Sequence, residues 1–259
     1  MWIDTHCHLD FEPLKSNIKS VFNLCCKNKI DGIIIPSIHP SNMDQVIQIA
    51  DKYSNWFYAL GIHPLYIEQI NDNDLNVLQD YIESFNPIAI GEIGLDLFVR
   101  KDNIDKQEYF LSQQLLLAER YDLPVILHGR SAIDLILKNL RKYKIKGGVL
   151  HAFNGSFQQA EEFIKMGFKL GFGGAMTNPR AVRLQKLAKE IPLDAIILET
   201  DSPDMPPFWI KDGGYNQPSE IAKIGNFFAK LRGQDLIILA EKIRANTQQA
   251  FPKIAELYT

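Results

Sequence analysis

Residues 107–152 read QEYFLSQQLLLAERYDLPVILHGRSAIDLILKNLRKYKIKGGVLHA, and this stretch decides the fold. Its opening part, 107–121, places Phe110, Leu111, Gln114, Leu115 and Ala118 on one stripe of a helix. The segment 124–128 is short, continuously apolar and ends on His128, and 148–152 repeats the pattern around His151. Short apolar runs alternating with amphipathic segments are the signature of βα units around a parallel sheet buried on both faces.

Working outward, the same alternation gives candidate strands at 2–5, 32–36, 57–62, 87–93, 124–128, 148–152, 168–172 and 195–200. Eight units in 259 residues is about 32 residues each, close to a (β/α)8 barrel of roughly 250 residues. The expected architecture is therefore α/β: a (β/α)8 TIM barrel forming one domain over 1–259, with a C-terminal helical extension at 235–257. Ser131 and Ser156 stand where helix N-caps belong, and Gly147 and Gly167 where helices hand over to strands. One long aperiodic stretch, 202–217, is rich in Pro, Gly and aromatics, and loops of this length are usually functional.

Composition narrows the function classes. With 46% hydrophobic residues the chain can bury a core, and its net charge of −3 excludes a protein that coats nucleic acid by phosphate neutralisation. Any nucleic-acid contact must be local. Three cysteines, with Cys25 and Cys26 adjacent, make a poor disulfide framework and point to a reducing cytoplasm. The N-terminus lacks the basic and apolar regions of a secretion signal, and no apolar run reaches the ~18 residues of a membrane span. No GxxxxGK[ST] suggests a nucleotide-fuelled reaction.

The six histidines all lie at or just past a candidate strand end: His6 and His8 on the first, His39 on the second, His63 on the third, His128 on the fifth and His151 on the sixth. Glu92 and Asp201 end the fourth and eighth. In a barrel these ends converge on the catalytic face. His6 and His8, two apart, share one side of the chain and can chelate one ion. With Glu92, His128, His151 and Asp201 they make four imidazoles and two carboxylates, enough for two divalent ions sharing Glu92 as a bridge. The ion is drawn from Zn, Mn, Mg, Fe or Ni, imidazole-rich coordination favouring the others over Mg. A water between two cations ionises near neutral pH, and Asp201 can take its proton, which gives hydrolysis.

Other features read more plainly. A lone strand-end histidine is usually structural, so His39 is read as a rim residue. Cys7 faces away from its histidine neighbours and is read as packing. Arg130, two residues past His128, projects to the same side, where it either grips a substrate phosphate or pairs with Asp96 or Asp204. Lys138, Arg141, Lys142, Lys144 and Lys146 precede the sixth strand and form a solvated surface on the opposite face. Phe208, Trp209 and Tyr215 in the long loop either stack on bases or anchor the loop.

The ordered motifs DTHCHLD (4–10), GIHP (61–64), GEIGLD (91–96), LPVILHGR (123–130), HAFNGS (151–156) and ETDSP (199–203) together resemble the TatD family of metal-dependent hydrolases, within the amidohydrolase-like barrels. The resemblance runs from residue 3 to about 250. It implies a two-metal deoxyribonuclease removing nucleotides from DNA ends, with some members linked to hydrolysis of D-aminoacyl-tRNA esters. By matching position it implies one ion on His6, His8 and Asp201, the other on His128 and His151, Glu92 as bridge, and His63 at the substrate phosphate. One departure is the stretch Tyr215-Asn216-Gln217-Pro218, where relatives tend to carry Arg-Asn-x-Pro. The expected function is thus a TatD-type deoxyribonuclease. The alternatives are an esterase or amidase such as a D-aminoacyl-tRNA deacylase, or a non-catalytic metal-binding interaction protein. The expected partner is DNA or a tRNA-linked substrate at the barrel mouth, with no membrane and no obligate protein partner.

Overall fold

Eight strands pair in sequence order, each parallel to the next. They are β1 (Trp2–Asp4), β2 (Ile30–Pro36), β3 (Trp56–Leu60), β4 (Ala89–Asp96), β5 (Val125–Arg130), β6 (Gly148–Leu150), β7 (Phe168–Phe172) and β8 (Ile196–Leu198). A helix follows each: α1 (Ile18–Lys27), α2 (Met43–Ala50), α3 (Asp72–Phe85), α4 (Ile104–Arg120), α5 (Ile133–Leu140), α6 (Phe157–Lys165), α7 (Val182–Glu190) and α8 (Ile221–Arg232). The chain is a (β/α)8 TIM barrel, seen here in a computed structural model that describes residues 2–211 and 213–256.

Alternation along the strands builds two apolar layers. Ile33, Ile35, Ile90, Val125, Leu127, Leu150, Ile196 and Leu198 pack with the helices, including the buried α4 stripe of Phe110, Leu111, Gln114, Leu115 and Ala118. Ile34, Phe57, Ala59, Ala89, Ile126, Val149 and Ile197 form the separate interior of the barrel. Phe251 and Ile254 of the tail complete that interior, and burying side chains of this size is worth roughly 1.5–3 kcal/mol each. The tail is two helices rather than one: α9 (Leu236–Ala250), capped by Asp235, and α10 (Pro252–Ala255). Pro252 has no N–H to continue α9. Leu257, the expected end of the extension, lies outside the described residues.

Two irregularities turn functional side chains inward. Ile3 faces the interior, so strict alternation would also turn Thr5 and Cys7 inward; a bend at Thr5 exchanges the faces. His6 and His8 then point inward, while Cys7 packs in the outer layer beside Ser202. In β4 the register shifts between Ile90 and Ile93, which puts Glu92 on the interior side although Ile90 faces the helices. These shifts also explain why β1 stops before the expected residue 5.

The seam between β8 and β1 closes without a regular ladder. Thr5 N donates to Leu198 O, Asp201 N to His6 O and His8 N to Ser202 O, at 3.4, 2.9 and 2.8 Å. Asp4, fully buried, accepts from Thr200 N at 2.8 Å and bonds Thr200 Oγ1 at 2.5 Å. Burial pushes the Asp4 carboxyl up to about 8, against the lowering effect of these bonds. The carboxyl therefore keeps its proton to higher pH than an ordinary aspartate.

Past three strands the chain turns through left-handed backbone at Ser131 (φ 56°), Ala152 (φ 46°) and Asp201 (φ 57°). Such a conformation costs an L-residue roughly 1–2 kcal/mol and persists only where neighbours impose it. It also corrects one expectation. Ser131 does not cap α5, whose N-cap is Ala132 without a side-chain bond, because a residue held at positive φ is not in the extended conformation of an N-cap. Ser156 does cap α6, reciprocally with Gln159. Gly147 and Gly167 take φ of 98° and 83° where helices hand over to strands. Among the described residues, no helix is long and apolar enough to cross a membrane.

Candidate metal centre

Glu92 is the hub of the barrel mouth. Its Oε2 faces His6 Nε2 at 3.2 Å and His8 Nε2 at 3.6 Å, and Asp201 Oδ1 lies 3.7 Å from each of those two nitrogens. Its Oε1 faces His128 Nδ1 at 3.0 Å, His151 Nε2 at 3.1 Å and His63 Nε2 at 3.5 Å. The structure thus brings His6, His8, His63, Glu92, His128, His151 and Asp201 into one cluster. Three sets within it have donor atoms close enough to hold a cation: His6 with His8 and Asp201, His6 with Glu92 and His151, and His63 with Glu92 and His128.

The donor set fits a divalent ion on its own chemistry. His6 and His8 turn their Nε2 atoms toward each other at 3.2 Å, and both carboxylates converge on the same space. Lone pairs gathered in a buried pocket are favourable only around a positive charge. Borderline imidazole nitrogens with carboxylate oxygens suit first-row divalent metals.

Protonation follows the same geometry. Burial would raise Glu92, but His63, His6, His151 and His128 hold it well below the ordinary carboxylate value. Burial lowers His6, and His151 reinforces this despite Glu92. Burial also opposes protonation of His8, His128 and His151, yet the carboxylates prevail and all three are raised, His151 well above its ordinary value. His63 is pushed down to about 4 by burial, with Glu92 opposing and His128 adding to the shift.

The neutral ring of His63 has a defined tautomer. Leu65 N donates to its Nδ1 at 3.2 Å, so the ring proton sits on Nε2, aimed into the cluster. His63 is therefore built as a hydrogen-bond donor there. A metal would need that same nitrogen bare.

Two buried carboxylates lie behind the rings; the sequence offered Asp96 only as a partner for Arg130 and did not single out Glu199. Asp96 Oδ2 takes His128 Nε2 at 3.0 Å, while its Oδ1 accepts from Phe98 N and Val99 N at 2.9 Å each. Glu199 Oε1 accepts from Ala152 N at 2.5 Å and lies 3.6 Å from His151 Nδ1. Gly171 and Gly173 leave the room that this side chain fills. The available signal was even spacing, since Asp96 follows Glu92 by four residues and Glu199 precedes Asp201 by two.

The cluster floors an open cleft of about 1220 Å³ lined by Tyr66, Phe98, Arg130, Asn154, Arg183 and Met205 among others. Arg130 is exposed, with its guanidinium over the Phe98 ring at 3.9 Å. It does not pair with Asp96, which is committed to His128 and two backbone amides. In the long loop, Trp209 Nε1 donates to Glu220 Oε2 at 2.7 Å, an anchor, and Phe208 and Tyr215 are exposed outside the cleft lining. Asn216, in the stretch that departs from the Arg-Asn-x-Pro pattern, is fully buried and pins the loop to Thr200 O and Asp204 O. His39 caps a short helical turn through Ser41 N. The basic run lies in surface pairs, Arg141 with Glu162 at 2.9 Å and Lys146 with Asp122.

Comparison with known proteins fits this geometry. The family described as TatD related DNase matches residues 3–252. The chain belongs to the TatD family. Among its TatD relatives, the Escherichia coli K12 metal-dependent hydrolase YjjV is 37% identical over 253 residues, covering 96% of this chain and 97% of its own. The crystal structure of the E. coli TatD homolog YjjV superposes with a TM-score of 0.92, covering 97% of this chain and 98% of that one. The human deoxyribonuclease TATDN3 is 28% identical over 268 residues, covering 98% and 96%. This protein is a metal-dependent hydrolase of that family.

Proposed function

We propose that this TatD protein is a deoxyribonuclease that hydrolyses phosphodiester bonds at DNA ends, with two divalent ions as its cofactor. One observation carries the reading: the two oxygens of buried Glu92 face different histidines, Oε2 turned to His6 and His8 and Oε1 to His128 and His151. A human relative named a deoxyribonuclease and a cleft lined by the exposed Arg130 as well as by the cluster support a phosphodiester as substrate.

In this reading His6, His8 and Asp201 hold one ion, His128 and His151 the other, and Glu92 serves both. Ions held by these residues would provide a water that ionises near neutral pH and would polarise the phosphoryl oxygen. Asp201, at the edge of the cluster with its side chain 16% exposed, accepts the proton of the attacking water. Its amide is fixed on His6 O, so the turn that carries it is tied to the chelating segment. His63 donates its Nε2 proton to a phosphate oxygen, a role its neutral tautomer suits. Asp96 holds the His128 ring at 3.0 Å, and Glu199 stands 3.6 Å from His151 Nδ1 as its nearby carboxylate.

The test is a substrate panel of end-labelled DNA, RNA, aminoacyl-tRNA and a simple ester, each with Zn, Mn, Mg, Fe and Ni. Stepwise shortening of DNA from an end is expected. Hydrolysis of aminoacyl-tRNA or the ester with DNA left intact would replace the reading by an esterase.

A further inference from the structure

We propose that Phe98 and Arg130 form a stacking platform for a nucleobase at the wall of the cleft, held in place by the same carboxylate that positions His128. The inference rests on the nucleic-acid reading above and adds to it the residues that take the base. Phe98 is 64% exposed, an unfavourable state for a phenyl ring, and it lines the cleft together with Glu92 and His128. The Arg130 guanidinium covers one face of the ring at 3.9 Å. A planar cation on a planar ring offers a broad flat surface to the electron-rich face of a base.

The backbone that carries the platform is held by hydrogen bonds. Phe98 N and Val99 N are both fixed on Asp96 Oδ1 at 2.9 Å, and Leu97 N donates to Arg130 O at 2.9 Å. Asp96 uses its second oxygen on His128 Nε2. One carboxylate therefore sets the loop that carries the ring and the imidazole beside the reacting phosphate, so a stacked base registers its own phosphate against the cluster. Stacking tolerates every base, which suits an enzyme that trims ends whatever their sequence. The aromatics of 202–217 do not compete for this role, since Trp209 is tied to Glu220 and Phe208 and Tyr215 lie outside the cleft lining.

The experiment crosses removal of the base with removal of the ring. Oligodeoxynucleotides carrying an abasic residue at each position flanking the cleaved bond are compared with intact ones, in wild type, Phe98→Ala and Phe98→Trp. Thermal midpoints are recorded for each protein. In wild type, losing the stacked base raises KM by about tenfold or more at one position. In Phe98→Ala that penalty disappears, because the intact oligonucleotide already binds as weakly as the abasic one, and Phe98→Trp restores it. A base penalty of equal size in wild type and Phe98→Ala overturns the platform while leaving the nuclease reading intact. Wild type that cleaves a small phosphodiester but no oligonucleotide overturns the nucleic-acid reading, and the platform with it.

Discussion

Glu199 offers a quantitative test of how the chain prepares His151. Its carboxylate lies 3.6 Å from His151 Nδ1, both groups are buried, and His151 turns its other nitrogen to Glu92. When Nε2 serves a cation, the ring proton must sit on Nδ1, where Glu199 is the acceptor. A unit-charge pair at this distance is worth at most about 5 kcal/mol at an effective dielectric of 20. Carboxylates behind a metal-binding histidine typically account for 10–100-fold in affinity, or about 1.4–2.7 kcal/mol. Glu199→Gln keeps the shape and the oxygen that accepts from Ala152 N, and loses only the charge. It should weaken Zn or Mn binding by about tenfold with little change in chelated stability, read by competition against a fluorescent chelator and by urea midpoints. Gly171→Ala should weaken binding too, since its Cβ would lie 2.6 Å from Glu199 Cδ and displace the carboxylate. A Glu199→Gln affinity within twofold of wild type would refute the assigned role.

Three further outcomes follow. Asp201→Asn should fold and retain most of its metal yet lose turnover by about 100-fold or more, and near-normal turnover would remove Asp201 as proton acceptor. Stripping metal with a chelator should lower the thermal midpoint by about 5–10 °C, the loss of roughly 2.7 kcal/mol of linkage at a hundredfold excess over Kd; an unchanged midpoint would mean that the buried donors hold no ion. Because Asp4 is raised to about 8 when folded, above its unfolded value, the stability it contributes is full below about pH 4 and is lost as pH rises through 8. Metal-free wild type should therefore lose up to about 1.4 kcal/mol per pH unit relative to Asp4→Asn between pH 5 and 8, and parallel urea titrations of the two would contradict a protonated Asp4.

The eight strands were legible because short apolar runs such as 124–128 and 168–172 must be buried on both faces. Where they stop was not, since β1 ends on a bend at Thr5 and β4 shifts register at Glu92, and neither leaves a trace in hydrophobicity. The site residues named from the sequence meet at the barrel mouth, His63 and Arg130 in the cleft lining and His6 fully buried within the cluster, because strand ends of a parallel barrel share one face. The supporting residues were harder to see. Asp96 and Glu199 look like any strand-end acid until it is known which ring nitrogen faces them. Only the fold shows that Phe98 is exposed in the cleft. Ser131 has the residue type of a cap and the wrong backbone angle for one.

In the proposed mechanism Glu92 serves two ions at once, and both are needed to cut DNA ends. This is tested most directly by titrating metal into the metal-free protein and measuring the initial rate of nucleotide release from an end-labelled oligodeoxynucleotide. No release is expected without metal, the rate should level at two equivalents per chain, and Glu92→Gln should show no recovery at the same metal concentrations. A plateau at one equivalent, or release that persists in chelator, would contradict it.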